Sequence, residues 1–176
     1  MADKLTLLNL EFRMYEGGTL PASFQFEEVD QELADFYNED ALRLQKESVT
    51  RVMNVFHEGK LVAYFAYSTS EIKALDLLPE DKVAPFSHPA LKLGRLLVCS
   101  SMQRSGIGTA ILQYLAKQAL EIRDKVPLRF LLVDAVPHAV EFYIKKGFID
   151  TGIKRGSSRD LSLLYIDLNK VIENLG

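Results

Sequence analysis

The stretch of this sequence best suited to chemistry is Leu96-Leu97-Val98-Cys99-Ser100-Ser101-Met102-Gln103-Arg104-Ser105-Gly106-Ile107-Gly108-Thr109. An apolar run leads into a short polar loop, and the loop leads into residues whose apolar members recur at helical spacing. The first amides of a helix have no carbonyl partners and sit at the positive end of its dipole. Gly106 and Gly108 lack a Cβ, so an anion can come close to the backbone. Arg104 adds a positive charge, and Ser105 and Thr109 add hydroxyl donors. Residues Gln103–Thr109 therefore predict a cradle for a phosphate or pyrophosphate.

Three ligands could use such a cradle. A mononucleotide loop needs Gly-x-x-x-x-Gly-Lys-Ser/Thr, and no lysine follows Gly108. A dinucleotide fingerprint needs a third small residue where Ile111 stands. Coenzyme A is left. A second candidate group lies downstream in Ala139-Val140-Glu141-Phe142-Tyr143-Ile144-Lys145-Lys146-Gly147-Phe148, which puts Tyr143 on a short helix after the next strand. Cys99 has no acid–base pair near it in sequence and reads as a small packed or partly exposed thiol. His57, His88 and His138 share no metal-binding spacing, so no metal is expected.

These groups need positioning. Lys4–Phe12 reads as a strand ending before Gly17-Gly18, and Asp30 can cap a helix running to about Glu47. Leu33, Phe36, Tyr37, Ala41 and Leu44 would be its inner side. Arg51–His57 and Leu61–Ser68 form a hairpin turned at Glu58-Gly59-Lys60. Glu71–Pro89 reads as a long surface loop with one helical turn, and Leu91–Val98 as a buried strand. Ile107, Ala110, Ile111, Tyr114, Leu115, Ala119 and Ile122 mark the strongest helix. Leu128–Val133 is an apolar strand, Pro137 opens a short helix that stops at Gly147, and Phe148–Thr151 and Leu161–Leu168 finish as strands. The order predicts an α/β fold with a mixed, partly antiparallel central sheet flanked by helices.

The chain as a whole narrows the function. Its 176 residues, 48% hydrophobic and 26% charged, suit one folded domain spanning 1–176. No apolar run approaches the ~20 residues that span a bilayer. The start, Met1-Ala2-Asp3-Lys4, shows no export pattern, and one cysteine excludes an internal disulfide, so the expected location is cytoplasmic. A net charge of −3 argues against general affinity for nucleic acid. The basic run Lys145, Lys146, Lys154, Arg155 and Arg159 reads as solvated charge at element ends.

Gln-x-x-Gly-x-Gly at 103–108 and Phe-Tyr-x-x-x-Gly-Phe at 142–148, one helix and one strand apart, together resemble the GNAT superfamily of N-acetyltransferases. Further likeness runs over most of the chain. Leu33–Tyr37, Asp40–Leu42, Gly59–Phe65 and Pro89–Val98 look like the GNAT branch that includes toxins acetylating aminoacyl-tRNA. Two departures stand out: Glu28-Val29 replaces a common Cys-Gly pair, and the chain is acidic where those toxins tend to be basic.

The resemblance implies acetyl-CoA as co-substrate, with pantetheine pairing along the backbone of Leu96, Leu97 and Val98 and pyrophosphate held by Gln103, Arg104, Ser105, Gly106, Ile107, Gly108 and Thr109. It implies that Tyr143 touches the coenzyme and is the general acid for the leaving thiolate. Leu91–Val98 contains no acid, so a water chain or an already neutral amine would replace the strand glutamate of some relatives. Glu71 or Glu141 could fill the place of that base, and His138 could touch substrate, though each reads first as a surface group. Val136 stands where many relatives carry a coenzyme-binding asparagine. Arg95, inside an apolar strand, needs either a partner or a substrate. The expected activity is acetyl transfer to a primary amine, on a small molecule or an aminoacyl group, with tRNA as the one nucleic acid in play and a homodimer as a possible assembly. The alternatives are a non-catalytic coenzyme- or partner-binding module and a toxin.

Overall fold

The computed structural model describes residues 9–156 and 160–174. Its strands form one mixed seven-stranded sheet in the order β1-β2-β3-β4-β5-β7-β6. The chain divides into two compact units, one drawn from Met1–Ser68 and Gly94–Ile111, the other from Thr69–Leu93 and Leu112–Gly176.

In the first unit, β1 (Leu10–Met14), β2 (Arg51–His57) and the start of β3 (Lys60–Ile72) make an antiparallel meander. Leu10 faces His57, and Arg51 faces Tyr67. The β2–β3 turn holds Glu58 at φ 49° and Gly59 at φ 75°. Two successive positive φ values match the strands' right-handed twist, and glycine takes the second without steric cost. Of the first strand expected at Lys4–Phe12, the described part starts later and runs on to Met14; Lys4–Leu8 lie outside the described residues.

The expected single helix after Asp30 is a composite. A 3-10 turn at Glu28–Asp30 leads into α1 (Gln31–Asp35), a π-helical turn at Phe36–Asp40, and α2 (Ala41–Lys46). Asp30 makes no capping bond. The π turn adds a residue to the helical repeat, and Ala34, Phe36, Tyr37 and Ala41 are all buried. They pack with Tyr15, Phe24, Val52, Tyr64, Ala66, Leu97 and Cys99. The tyrosines in this core each place their hydroxyl on an acceptor: Tyr15 on Gly18 O at 2.6 Å, Tyr37 on Asn54 Oδ1 at 3.0 Å, Tyr64 on Leu33 O at 2.5 Å. A buried tyrosine keeps its apolar contact area without stranding a polar atom.

The second unit takes β4 (His88–Val98) as far as Leu93, and there it pairs parallel with β5 (Phe130–Ala135), from Ala90 beside Phe130 to Leu93 beside Val133. β7 (Leu161–Asp167) lies antiparallel to β5 and also to β6 (Ile149–Arg155), so the last strand inserts between its two predecessors. Helix α3 (Ile107–Arg123) buries Ile107, Ile111, Leu115 and Ala119, one per turn on a single stripe. A 3-10 turn at Pro137–Ala139 opens α4 (Val140–Lys145), and α5 (Leu168–Asn174) follows β7 where the sequence signalled only a strand end.

The expected Glu71–Pro89 loop is shorter and more anchored than predicted. β3 runs to Ile72, β4 begins at His88, and two 3-10 turns lie between, at Ala74–Asp76 and Pro79–Asp81. Asp81 is buried and accepts hydrogen bonds from Tyr165 Oη and Lys170 Nζ, each at 2.8 Å, while Leu78 N donates to Tyr165 Oη at 3.0 Å. Burial raises the Asp81 carboxyl pKa, but the bonds from Lys170 and Tyr165 outweigh it and hold the group below the ordinary aspartate value. Ile72 and Leu77 join Ala90, Phe130, Leu132, Leu163 and Tyr165 in the core of this unit. His88, expected in a loop, opens β4 and is buried edge-on to Phe130.

Candidate coenzyme-binding site

The predicted cradle lies wholly in the first unit. The backbone of β4 leaves its strand at Cys99, whose amide donates to Val62 O at 2.8 Å, and the next amide, of Ser100, donates to Gln25 O at 2.8 Å. A 3-10 turn at Ser100–Met102 then closes, with Met102 N on Cys99 O at 2.9 Å. These bonds fix where the polar loop starts. Gln25 was missed by sequence reading because it contributes a main-chain carbonyl, to which its residue type gives no clue.

The loop bends through two positive-φ residues, Arg104 at 60° and Gly106 at 92°. Ser105 Oγ donates to Met102 O, and Gln103 Nε2 approaches Val98 O at 3.5 Å. The first main-chain bond of α3 is Ala110 N to Gly106 O at 3.0 Å. From Arg104 to Thr109, no amide donates to a backbone carbonyl among the described residues. The loop thus presents a run of unpaired N–H donors at a helix N-terminus, beside an exposed arginine. The two glycines differ in use. Gly106 supplies a left-handed backbone, whereas Gly108 is already helical.

The residues Leu96, Leu97, Val98, Gln103, Arg104, Ser105, Gly106, Ile107, Gly108 and Thr109 are thus brought together in one unit. Leu97 and Ile107 are buried at either end of this stretch, one on the strand and one on the first residue of the helix. Cys99 is buried with its Sγ 3.3 Å from Ser101 Oγ, a packed thiol.

Tyr143 belongs to the second unit. It is buried on α4, edge-on to Phe142 at 5.1 Å and Phe148 at 5.5 Å. Its carbonyl accepts from Lys146 N at 3.0 Å and Phe148 N at 3.1 Å, closing the helix at Gly147. Burial pushes the phenol pKa well above the ordinary tyrosine value, so the hydroxyl stays protonated at neutral pH.

The remaining ionisable groups sort themselves by their partners. Glu141 is exposed and hydrogen-bonded to Lys145 at 2.8 Å, which holds its carboxyl below the usual range, a poor setting for a base. His138 and Glu71 are exposed. Lys92 pairs with Asp134 on the neighbouring strand. Arg95 meets no carboxylate among the described residues; its guanidinium lies over the Phe36 ring, 3.8 Å from the centroid. Among the described residues there is no group of His, Cys, Asp and Glu placed to hold a metal, and no helix long and apolar enough to cross a membrane.

A strand running into a helix N-terminus with unpaired amides, within a mixed sheet, is an arrangement shared by acyl-coenzyme A transferases. The family model for the acetyltransferase (GNAT) domain matches residues 23–160, and the chain belongs to that family. Curated proteins give no significant match. Solved structures give many. A bacterial toxin superposes with a TM-score of 0.79 at 16% identity, covering 94% of both chains. The toxin AtaT in complex with acetyl-methionyl-tRNAfMet gives 0.74 at 18% identity, covering 93% of this chain and 98% of that one. The AtaTR complex bound to acetyl-CoA gives 0.72 at 19% identity, covering 94% and 97%. Identities this low establish the shared fold.

Proposed function

We propose that the whole chain acts as one domain that transfers an acetyl group from acetyl-CoA to a primary amine by direct attack. The unpaired amides of Arg104–Thr109 carry this reading, because a doubly charged pyrophosphate is the coenzyme group such a row of donors suits. The pantetheine arm pairs with the backbone of Leu96–Val98, and a strand N–H there polarises the thioester carbonyl. The neutral amine attacks that carbon. An N–C bond forms, the C–S bond breaks, the sulfur takes its proton from Tyr143, the amine's surplus proton passes to water, and water returns a proton to the phenolate. The protonated, desolvated state of Tyr143 supports its role as the acid.

Titration with coenzyme A and thiol release from acetyl-CoA across a panel of amines test this together. Submicromolar to micromolar binding with turnover is the expected outcome. Binding without turnover of any amine identifies a non-catalytic coenzyme-binding module instead.

A second reading is favoured by one observation, the likeness to AtaT captured with acetyl-methionyl-tRNAfMet. In it the acceptor is the α-amine of an aminoacyl-tRNA. Growth arrest on expression, relieved by Tyr143→Phe, is its signature, and harmless expression of an active enzyme removes it.

A further inference from the structure

Arg95 is half-buried, and among the described residues its guanidinium meets an aromatic ring and no carboxylate. Arg13, Arg43 and Arg129 each meet a carboxylate, of Glu11, Asp40 and Asp167 respectively. Arg95 meets the face of Phe36 instead. That ring is buried, begins the π-helical turn, and stacks in turn on Tyr64 at 6.3 Å and 20°. Tyr64 is pinned by its hydrogen bond to Leu33 O. The guanidinium therefore rests on a layered support of Phe36 and Tyr64, and its N–H groups meet no acceptor among the described residues. A half-buried guanidinium laid on a ring is suited to a planar or tetrahedral oxyanion.

Its place along β4 says what that oxyanion belongs to. With pyrophosphate at Arg104–Thr109, the coenzyme arm reaches its acyl end by running back along β4 past Val98 and then Leu96. The next residue upstream is Arg95. Side chains alternate along a strand, and Leu97 and Cys99 pack in the cluster that contains Phe36. The Arg95 side chain shares their face, out of the hydrogen-bonding plane that the arm would occupy. It is placed to meet a molecule arriving at the acyl end.

We propose that Arg95, laid on Phe36, binds a carboxylate or phosphate oxyanion carried by the acceptor amine and so selects acidic amines as substrates. This rests on the acetyl-transfer reading above. It is tested with matched acceptors that differ in the oxyanion: β-alanine against β-alaninamide for a carboxylate, phosphoethanolamine against ethanolamine and 3′-methionyl adenosine 5′-phosphate against 3′-methionyl adenosine for a phosphate. In at least one pair the oxyanion member is used about ten- to a hundredfold better in kcat/KM. Arg95→Leu abolishes that preference through KM of the acceptor, Arg95→Lys restores part of it, and both leave coenzyme A affinity unchanged. Equal use of both members in every pair, use of no acceptor by a chain that binds coenzyme A, or an Arg95→Leu loss that falls equally on both members overturns the proposal. Failure to bind coenzyme A at all instead overturns the acetyl-transfer reading, and the coenzyme titration separates the two results.

Discussion

The amide of Ala110 reaches the carbonyl of Gly106 at 3.0 Å, and this bond marks the first closed turn of α3. Everything from Arg104 to Thr109 lies before it, which is why that stretch has donors to spare.

The two cradle glycines are expected to respond differently. Gly106→Ala forces a Cβ onto a φ of 92° and costs about 1–2 kcal/mol of stability together with coenzyme affinity. Gly108→Ala keeps helical geometry and gains up to about 1 kcal/mol from helix propensity, yet it weakens coenzyme A binding by filling the approach. Thermal unfolding and calorimetric titration distinguish them. A Gly108→Ala protein that binds coenzyme A at full strength contradicts the close-approach argument.

Tyr143→Phe preserves the edge-on contacts with Phe142 and Phe148. Acetyl transfer should fall by about 10²–10⁴-fold, while coenzyme affinity and melting temperature stay near wild type. Because burial raises the phenol pKa, the neutral proton-donating form persists past the ordinary tyrosine value near 10. The kcat profile should accordingly show no alkaline fall from this group below about pH 10.

Asp81 predicts an acid limb in stability. Its folded pKa lies below its ordinary value, so its contribution is complete above the unfolded carboxylate pKa of about 4 and disappears as pH falls through the lower folded value. Asp81→Asn should cost about 1–3 kcal/mol at pH 7, and the difference from wild type should shrink below about pH 4. Denaturant melts at pH 3, 5 and 7 measure it. A difference that does not vary with pH assigns the cost to shape and not to charge.

Glu141→Gln is expected to leave kcat/KM within about twofold, since an exposed carboxylate held by Lys145 is worth little to stability or chemistry. Steady-state kinetics at pH 7 is the check, and a loss of tenfold or more in kcat/KM would make Glu141 a base.

Which parts of the molecule were legible in advance follows from how local their causes are. Glu58-Gly59 encodes its turn in two residues, and Ile107, Ile111, Leu115 and Ala119 write the period of α3 directly. The loop before α3 was legible for the same reason, since its unpaired donors follow from a strand, two glycines and a helix start in immediate succession. The illegible parts depend on distant residues. The Glu71–Pro89 segment reads as a long surface loop with one helical turn because its anchors, Tyr165 and Lys170, lie far downstream. The π turn at Phe36 and the ring under Arg95 have no local signature, and β7's insertion between β5 and β6 is a choice among partners that alternation of residues does not encode. Helix α5 was missed because Leu168 continues the apolar run of β7 into the helix's first residue.

Both compact units are assembled from two separated stretches of chain, with Thr69–Leu93 interposed between the parts of the first. During synthesis the first unit therefore lacks its Gly94–Ile111 portion until after Thr69–Leu93 has emerged from the ribosome. No single cut of the polypeptide yields either unit whole by itself. Fragment complementation is consequently the natural way to dissect this protein, and a cut at the exposed Glu58-Gly59 turn leaves each piece dependent on the other for a complete fold.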